Sequence, residues 1–350
     1  MAQILEKMAV QWVTDPHSKK ICFDYRLRIL MKQYNAAIIG LGIMGRRMIS
    51  NFAKHPSFNI ASVWDPSGKS IEKTKADFPD IHFSETPEAL MKEVQPDLLY
   101  IACPPEFHKQ YALQAIYAKI PLYIEKPLGV DIAESESLVE LLERKNHINA
   151  VNFVQASSEA IEKVQLLLNN NELGNIKGVD IILQYQQWPR VWQVEADWLR
   201  FKASGGYIRE VLSHFIFVVE RLFGTAKVNF SQPAYPDDPK LCETHLQAKL
   251  ECGAISINIF GSSGGHGPDR QEITIWGTNK SVRISDFYFL EISEDDKWSR
   301  LVQHKVDPRS ETLQRQLDNI IKLLEGHSQP LADARTALSV QKIIERLLII

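Results

Sequence analysis

The sequence predicts an α/β protein: a doubly wound parallel-sheet domain, followed by an α+β domain on a mostly antiparallel open sheet. Three observations carry this reading. Short apolar and β-branched runs alternate with helical patterns from residue 34 to about 154, as βαβ units require. A glycine-rich loop joins the first such run to the first helix,. After about residue 155, strand patterns follow one another without helices between them, the grammar of antiparallel neighbours. The expected organisation is an N-terminal extension at 1–30, a dinucleotide-binding domain at 31–154 and a substrate-binding and oligomerisation domain at 155–350.

Composition bounds the function. The chain has 350 residues, 45% of them hydrophobic and 24% charged, a globular profile with length for about two domains. With 40 Lys+Arg against 43 Asp+Glu the net charge is −3, so no broad positive field exists to hold nucleic acid. Cys22, Cys103, Cys242 and Cys252 form no CxxC pair, which suits a reducing, cytoplasmic setting. The ten histidines are scattered and no HExxH occurs, so no metal is expected. No apolar stretch approaches the ~20 residues of a membrane span. For residues 1–30 two readings stay open: Met31 is the physiological start, or the segment is an arm that docks on a partner subunit.

The elements follow in order. Strands are predicted at 36–39, 59–64, 98–102, 122–124 and 148–153, from their apolar and β-branched content,. Helical spacing marks 46–54, 71–78, 107–118 and 134–144,. Right-handed crossovers assemble five such strands into one parallel sheet. Beyond the boundary come a helix at 158–170, a strand at 176–185, an irregular Trp-rich loop and a further helix. Strands at 246–251, 254–260, 271–276, 281–284 and 287–292 read as sheet neighbours, and helices at 310–324 and 333–348 close the chain.

Gly40-Leu-Gly-Ile-Met-Gly45 fits GxGxxG between a predicted strand and a predicted helix,. Gly40 permits the tight turn, Gly42 lets the main chain approach a pyrophosphate, and Gly45 lets helix and strand pack closely. Ile43 and Met44 belong to the same cofactor-binding loop, and the N-terminus of the helix that follows favours phosphate. Asp65 ends the second strand 20 residues past Gly45, where a ribose-binding acid is expected. A carboxylate there favours NAD over NADP. Arg46, Arg47 and Lys69 lie nearby and could neutralise a 2′-phosphate, although the two arginines also suit a solvated helix face.

Two further groups carry chemistry. Glu125-Lys126-Pro127 follows the strand at 122–124, at the carboxyl edge where open α/β sheets bind ligands. An isolated lysine is ordinarily a solvated cation, and the sheet edge argues for more. Ser204-Gly205-Gly206-Tyr207 opens a helix carrying Glu210 and His214. Their i, i+4 spacing puts both on one helix face, where the carboxylate can fix the imidazole tautomer and support its protonated form.

Together these residues resemble the Gfo/Idh/MocA oxidoreductases. The resemblance covers about 31–350 and rests on Gly40 to Gly45, Cys103-Pro-Pro-Glu-Phe-His108, Glu125-Lys-Pro127, and Asp197-Trp198 leading to Gly205-Gly206 and His214. It implies a Rossmann domain that takes NAD, with Cys103, Pro104 and His108 beside the cofactor and Glu125 seating the nicotinamide ribose. It makes Lys126 the catalytic lysine and His214 the active-site histidine, with Glu210 orienting the latter. The chain departs from the family pattern in carrying Glu210 for the usual aspartate, Phe217 for a second aspartate, and no arginine around 155–157.

The implied reaction is hydride transfer between nicotinamide and a hydroxyl-bearing carbon, with Lys126 and His214 as acid–base groups. Trp188, Trp192, Trp198 and Tyr207, close to Arg190 and Arg200, suit a polyhydroxylated ring or equally a domain interface. The family points to a sugar, cyclitol or related polyol as substrate and to a homodimer or homotetramer. Two other readings remain: a nucleotide-binding sensor without turnover, and an NAD-assisted, redox-neutral glycoside cleavage.

Overall fold

A computed structural model describes residues 32–304 and 306–349; the expected extension at 1–30, with Cys22, lies outside the described residues. The first sheet contains β1 (Tyr34–Ile39), β2 (Phe58–Trp64), β3 (Leu98–Ile101), β4 (Leu122–Ile124) and β5 (Asn149–Val151). All pairings are parallel, in the order β2-β1-β3-β4-β5. The chain moves outward from β1 to β2 and then returns to the other side of β1 as β3. That reversal opens a crevice at the carboxyl ends of β1 and β3.

The connecting helices are α1 (Ile43–Lys54), α2 (Gly68–Asp77), α3 (Pro87–Val94), α4 (His108–Ala118) and α5 (Ile132–Arg144). Sequence periodicity does not reveal α3, which is only 8 residues long. Its capping chemistry is plain: Thr86 accepts from the Ala89 amide at 3.0 Å, and Pro87 takes the first helical position,.

The second sheet has eight strands: β6 (Ile176–Tyr185), β7 (Lys227–Ala234), β8 (His245–Cys252), β9 (Ile255–Ser263), β10 (Arg270–Gly277), β11 (Ser281–Ser285), β12 (Phe289–Ser293) and β13 (Ser299–Arg300). Their order is β13-β12-β11-β10-β6-β9-β8-β7, antiparallel except for β6 beside β9. Edge strand β7 carries Pro233 and mostly exposed residues, so no apolar run announces it. Helices α6 (Glu159–Asn169), α7 (Ser213–Phe223), α8 (Pro308–Leu324) and α9 (Ala334–Leu347) complete the fold. No described helix is long and apolar enough to cross a membrane.

Helix α8 lies late in the chain but packs on the first sheet. Its Leu313, Leu317 and Ile320 are buried in one cluster with Ile38, Met48 and Phe52. Gln316, fully buried on the same helix, donates to the Tyr123 hydroxyl and to Asn152 Oδ1, each at 2.9 Å. The returning helix therefore seals one face of the sheet and reaches the floor of its crevice. Leu317→Ala should cost about 2–5 kcal/mol through lost burial and a residual cavity. Urea unfolding measures this, and a loss below about 0.5 kcal/mol, typical of surface positions, would show that α8 is not part of that core.

Candidate functional site

The crevice is a cleft of about 590 Å³. The glycine loop forms one wall. Gly40 has φ +97°, and a side chain there would put Cβ 2.5 Å from the Cys103 amide nitrogen. A Cβ on Gly45 would lie 1.9 Å from the Gly40 carbonyl oxygen, so close packing of α1 on the loop requires glycine at both positions. Gly42 caps α1 without any side-chain hydrogen bond and has open space around it. The first amides of the helix are thus left for a ligand. Ile43, Met44, Cys103 and Pro104 line the cleft. Burial pushes the Cys103 thiol up to about 12, so it is not a thiolate near neutrality.

Asp65 stands at the far end of the cleft. Its two carboxylate oxygens accept from the Leu41 amide at 2.6 Å and the Ser67 amide at 2.8 Å. Each oxygen keeps a further lone pair for a hydroxyl. Across the opening, Glu195 pairs with Arg46 at 2.7 Å and with Lys73 at 2.5 Å. These exposed pairs bring the loop bearing Glu195, Ala196 and Trp198 over the cleft, where the last two form a wall.

The other end holds the acid–base candidates. Glu125 is buried at the end of β4, accepting from the Tyr100 hydroxyl and, at 2.6 Å, from Asn152 Nδ2. Burial pushes its carboxyl above the usual range. The Lys126 side chain is 6% exposed, and its Nζ donates at 2.7 Å to both the Glu210 carbonyl and a Glu210 carboxylate oxygen. Glu210 borders both the cleft and a smaller recess of about 70 Å³.

His214 lines that recess with Nδ1 buried and without a partner. The expected Glu210–His214 pair does not form, because residues Ile208–Leu212 are a π-turn, with the Ser213 amide donating to the Ile208 carbonyl. That i, i−5 step rotates Glu210 off the face an α-helix would share with His214. The carboxylate turns to Lys126 instead. Burial, and then the charges of Lys126, Arg190 and Arg309, hold the imidazole well below its usual range. The structure therefore gives a neutral His214 near pH 7, opposite to the protonated form expected from a neighbouring carboxylate.

Three other expectations change. His108 is fully buried rather than beside the cofactor cleft: its Nε2 is 2.9 Å from the Cys103 carbonyl and its Nδ1 is 3.3 Å from the Leu128 carbonyl. Burial lowers its pKa to about 4, and the neutral ring's single N–H donates to one of these two carbonyls. Trp188 donates to the Leu199 carbonyl at 2.9 Å and packs on Tyr185 and Tyr207; neither it nor the fully buried Tyr207 lines the recess. They fill the interior because the loop must cover an apolar sheet face. Of the expected substrate-binding aromatics, only Trp192 reaches the recess, and Trp198 belongs to the cleft.

Other lining residues were hidden from sequence reasoning. Arg47 resembles a solvated helix residue, and Phe287 and Tyr288 read as strand. Phe287 takes φ +67° in the turn between β11 and β12 and packs 5.4 Å from the His214 ring, a strained backbone for an aromatic residue. Gln155, in the stretch 155–157 that lacks the family's arginine, is buried with both amide atoms unpartnered. Arg309 did carry a signal: a cation in the first turn of a helix opposes the helix dipole,.

Comparison with known proteins agrees with this architecture. Residues 34–153 match the family model described as "Oxidoreductase family, NAD-binding Rossmann fold". Residues 166–348 match its companion, "Oxidoreductase family, C-terminal alpha/beta domain". Oxidoreductase P35 of Formosa agariphila is 31% identical over 140 residues, 39% of this chain and 44% of that protein. Glucose-6-phosphate 3-dehydrogenase of Bacillus subtilis is 24% identical over 238 residues, 64% of this chain and 66% of that protein. The chain thus spans under two thirds of each of these relatives. The WlbA dehydrogenase from Bordetella pertussis, solved in complex with NADH and UDP-GlcNAcA, shares the fold with a TM-score of 0.75 at 18% identity, covering 91% of this chain and 96% of that one.

The segment carrying Glu210 and His214 is anchored from below by Glu243. This carboxylate is 1% exposed and accepts from the Ile208 amide at 2.8 Å. A Cβ on Gly206, where φ is +99°, would lie 2.5 Å from it. Burial pushes the Glu243 carboxyl up to about 7. Because its folded value exceeds the unfolded one, the stabilisation is complete below about pH 4.5 and is lost as pH rises through about 7, roughly 3 kcal/mol in all. Glu243→Gln should remove that pH dependence. Urea midpoints at pH 5 and pH 8 should converge between the two proteins at the lower pH and favour the variant at the higher; parallel pH profiles contradict the assignment.

Proposed function

The chain belongs to the Gfo/Idh/MocA oxidoreductase family that both of its halves match, and on that premise we propose that it is an NAD-dependent oxidoreductase acting on a hydroxyl-bearing carbon of a sugar, cyclitol or related polyol. The observation that carries this reading is the position of Lys126, whose ammonium is held on Glu210 where the dinucleotide cleft meets the recess lined by His214. The names of the relatives support the substrate class, among them glucose-6-phosphate 3-dehydrogenase and inositol 2-dehydrogenase.

The cleft suits the cofactor at three points. Uncapped amides of α1 receive the pyrophosphate, Asp65 receives the adenosine ribose, and Glu125 and Lys126 flank the nicotinamide end. The Asp65 carboxylate repels a 2′-phosphate, which favours NAD over NADP. Arg46, which could offset that repulsion, is already engaged by Glu195 and by the Leu41 carbonyl. Bound there, NAD supplies the acceptor for a hydride leaving the carbinol carbon.

The chain's own groups handle the proton. Lys126 hydrogen-bonds the reacting oxygen, with Glu210 holding Nζ by main chain and carboxylate together. His214, kept neutral by burial and nearby cations, has an open nitrogen to take the proton. The unpartnered Gln155 amide offers both a donor and an acceptor to neighbouring hydroxyls,. Trp192, the tryptophan-loop aromatic that reaches the recess, offers its ring edge as an apolar wall to the substrate.

Lys126→Ala should lower turnover by about 10²–10⁴-fold, the usual contribution of a placed acid–base group, while NADH fluorescence titration still saturates. A panel of sugars and cyclitols followed at the NADH absorbance band provides the assay. Wild-type turnover in the variant excludes the role. On wild-type protein the same panel separates dehydrogenation from sugar release without net NADH change, and from binding without turnover.

A further inference from the structure

The recess beside His214 carries more positive charge than a neutral polyol needs. Arg47 comes from α1, Arg190 from the tryptophan-rich loop and Arg309 from the first turn of α8, and all three line it. Their guanidinium carbons lie 5.3, 4.7 and 5.8 Å from the ring centroid of one residue, Trp192. Among the described residues, none of the three forms an ion pair with a carboxylate. Arg47 spends one donor on Met44 Sδ, Arg190 spends one on Gln193 Oε1, and Arg309 reaches the Tyr288 hydroxyl. Each guanidinium has five N–H donors, so most remain free.

Nearby acids act on this charge only across longer distances, Glu210 and Asp269 on Arg190 and Glu125 on Arg47, and none forms an ion pair with it among the described residues. Glu210 is committed to Lys126 and Glu195 to Arg46 and Lys73. Glu125 is buried under Tyr100 and Asn152. The crowding is felt by the arginines: burial, and then repulsion from Arg309, lowers the Arg47 pKa. Three half-buried cations gathered from distant segments without a direct ion-pair partner are costly to hold together. None of the three lines the dinucleotide cleft, so the cofactor's phosphates do not account for them. Packing on Trp192 explains where they lie and not why all three are cationic.

Resting on the dehydrogenase reading above, we propose that the recess is an oxyanion pocket: the substrate is an acidic sugar or polyol whose carboxylate or phosphate ester is received by Arg47, Arg190 and Arg309, with its reacting hydroxyl directed to Lys126. Planar guanidiniums bind such groups bidentately, and three of them fix the orientation of the rest of the ring.

The test is calorimetric binding to the NADH-loaded full chain, with D-glucose, D-glucuronate and D-glucose 6-phosphate as probes. One acid should bind at least about tenfold more tightly than glucose, as the loss or gain of a charge-assisted hydrogen bond implies, and the stronger acid identifies the oxyanion. Arg190→Gln and Arg309→Gln should each shrink that acid-over-neutral preference by a similar factor, and an intact NADH titration shows that the variants fold. Absence of any preference, or a preference insensitive to both substitutions, overturns the pocket and leaves the arginines as a clamp on Trp192. The two readings fail separately: acid-selective binding without NADH formation removes the dehydrogenase and keeps the pocket, whereas turnover of glucose and both acids at equal kcat/KM does the reverse.

Discussion

A buried ammonium must be paired, and the ammonium of Lys126 is paired with a single residue 84 positions away,. Among the described residues its Nζ bonds to Glu210 twice, once through the main chain and once through the side chain. The lysine is fixed to the end of a strand in the first sheet, and Glu210 to a turn leading into the helix packed against the second. Their bond therefore fixes the relation between cleft and recess. The π-turn at Ile208–Leu212 is part of the same constraint. It directs Glu210 at the lysine, leaves the His214 Nδ1 without a protein partner, and is supported beneath by Glu243 at Ile208.

The first sheet was almost wholly legible from sequence because its strands are buried on both faces and read as unbroken apolar runs. Residues 122–124 and 176–185 appear with the expected ends. The omissions have physical causes: α3 is too short for its periodicity to be distinct, and edge strand β7 is largely solvated. The same division applies at the site. The glycine loop, Asp65 and Lys126 announce themselves because local backbone geometry or sheet topology dictates their place. Glu210 was expected to face His214 and meets Lys126 instead, since i, i+4 reasoning assumes α-helical pitch. Arg47, Arg309, Phe287 and Tyr288 meet only through the tertiary fold, and no short-range pattern relates α1, α8 and a hairpin turn.

Whole-chain charge was informative at one scale and blind at another. A net charge of −3 argues soundly against a polyanion spread over the surface, because that interaction sums over many distributed phosphates. It says nothing about three guanidiniums around one indole, where a low local dielectric strengthens short-range electrostatics. Trp192 is 43% exposed. Exposure of a large aromatic with cations on its faces costs little on its own and leaves an amphipathic wall, apolar in its ring and polar at its rim.

The two sides of the recess differ in what holds them. On the sheet side, Gln316 donates to Asn152, Asn152 donates to Glu125, and Tyr100 donates to the same carboxylate. Each member is buried and locked by the next, which is how a floor is kept rigid. On the loop side, Arg190 is held by one hydrogen bond to Gln193 and by stacking on rings, interactions that tolerate small rotations. A rigid floor suits the groups that must meet a reacting atom within tenths of an ångström, since small misplacements there are costly. A compliant wall suits recognition of the remainder of a ligand, whose contacts can be satisfied over a range of positions. The amino acids follow that division: amides and a carboxylate in a closed hydrogen-bond chain beneath, and long cationic side chains on an indole above.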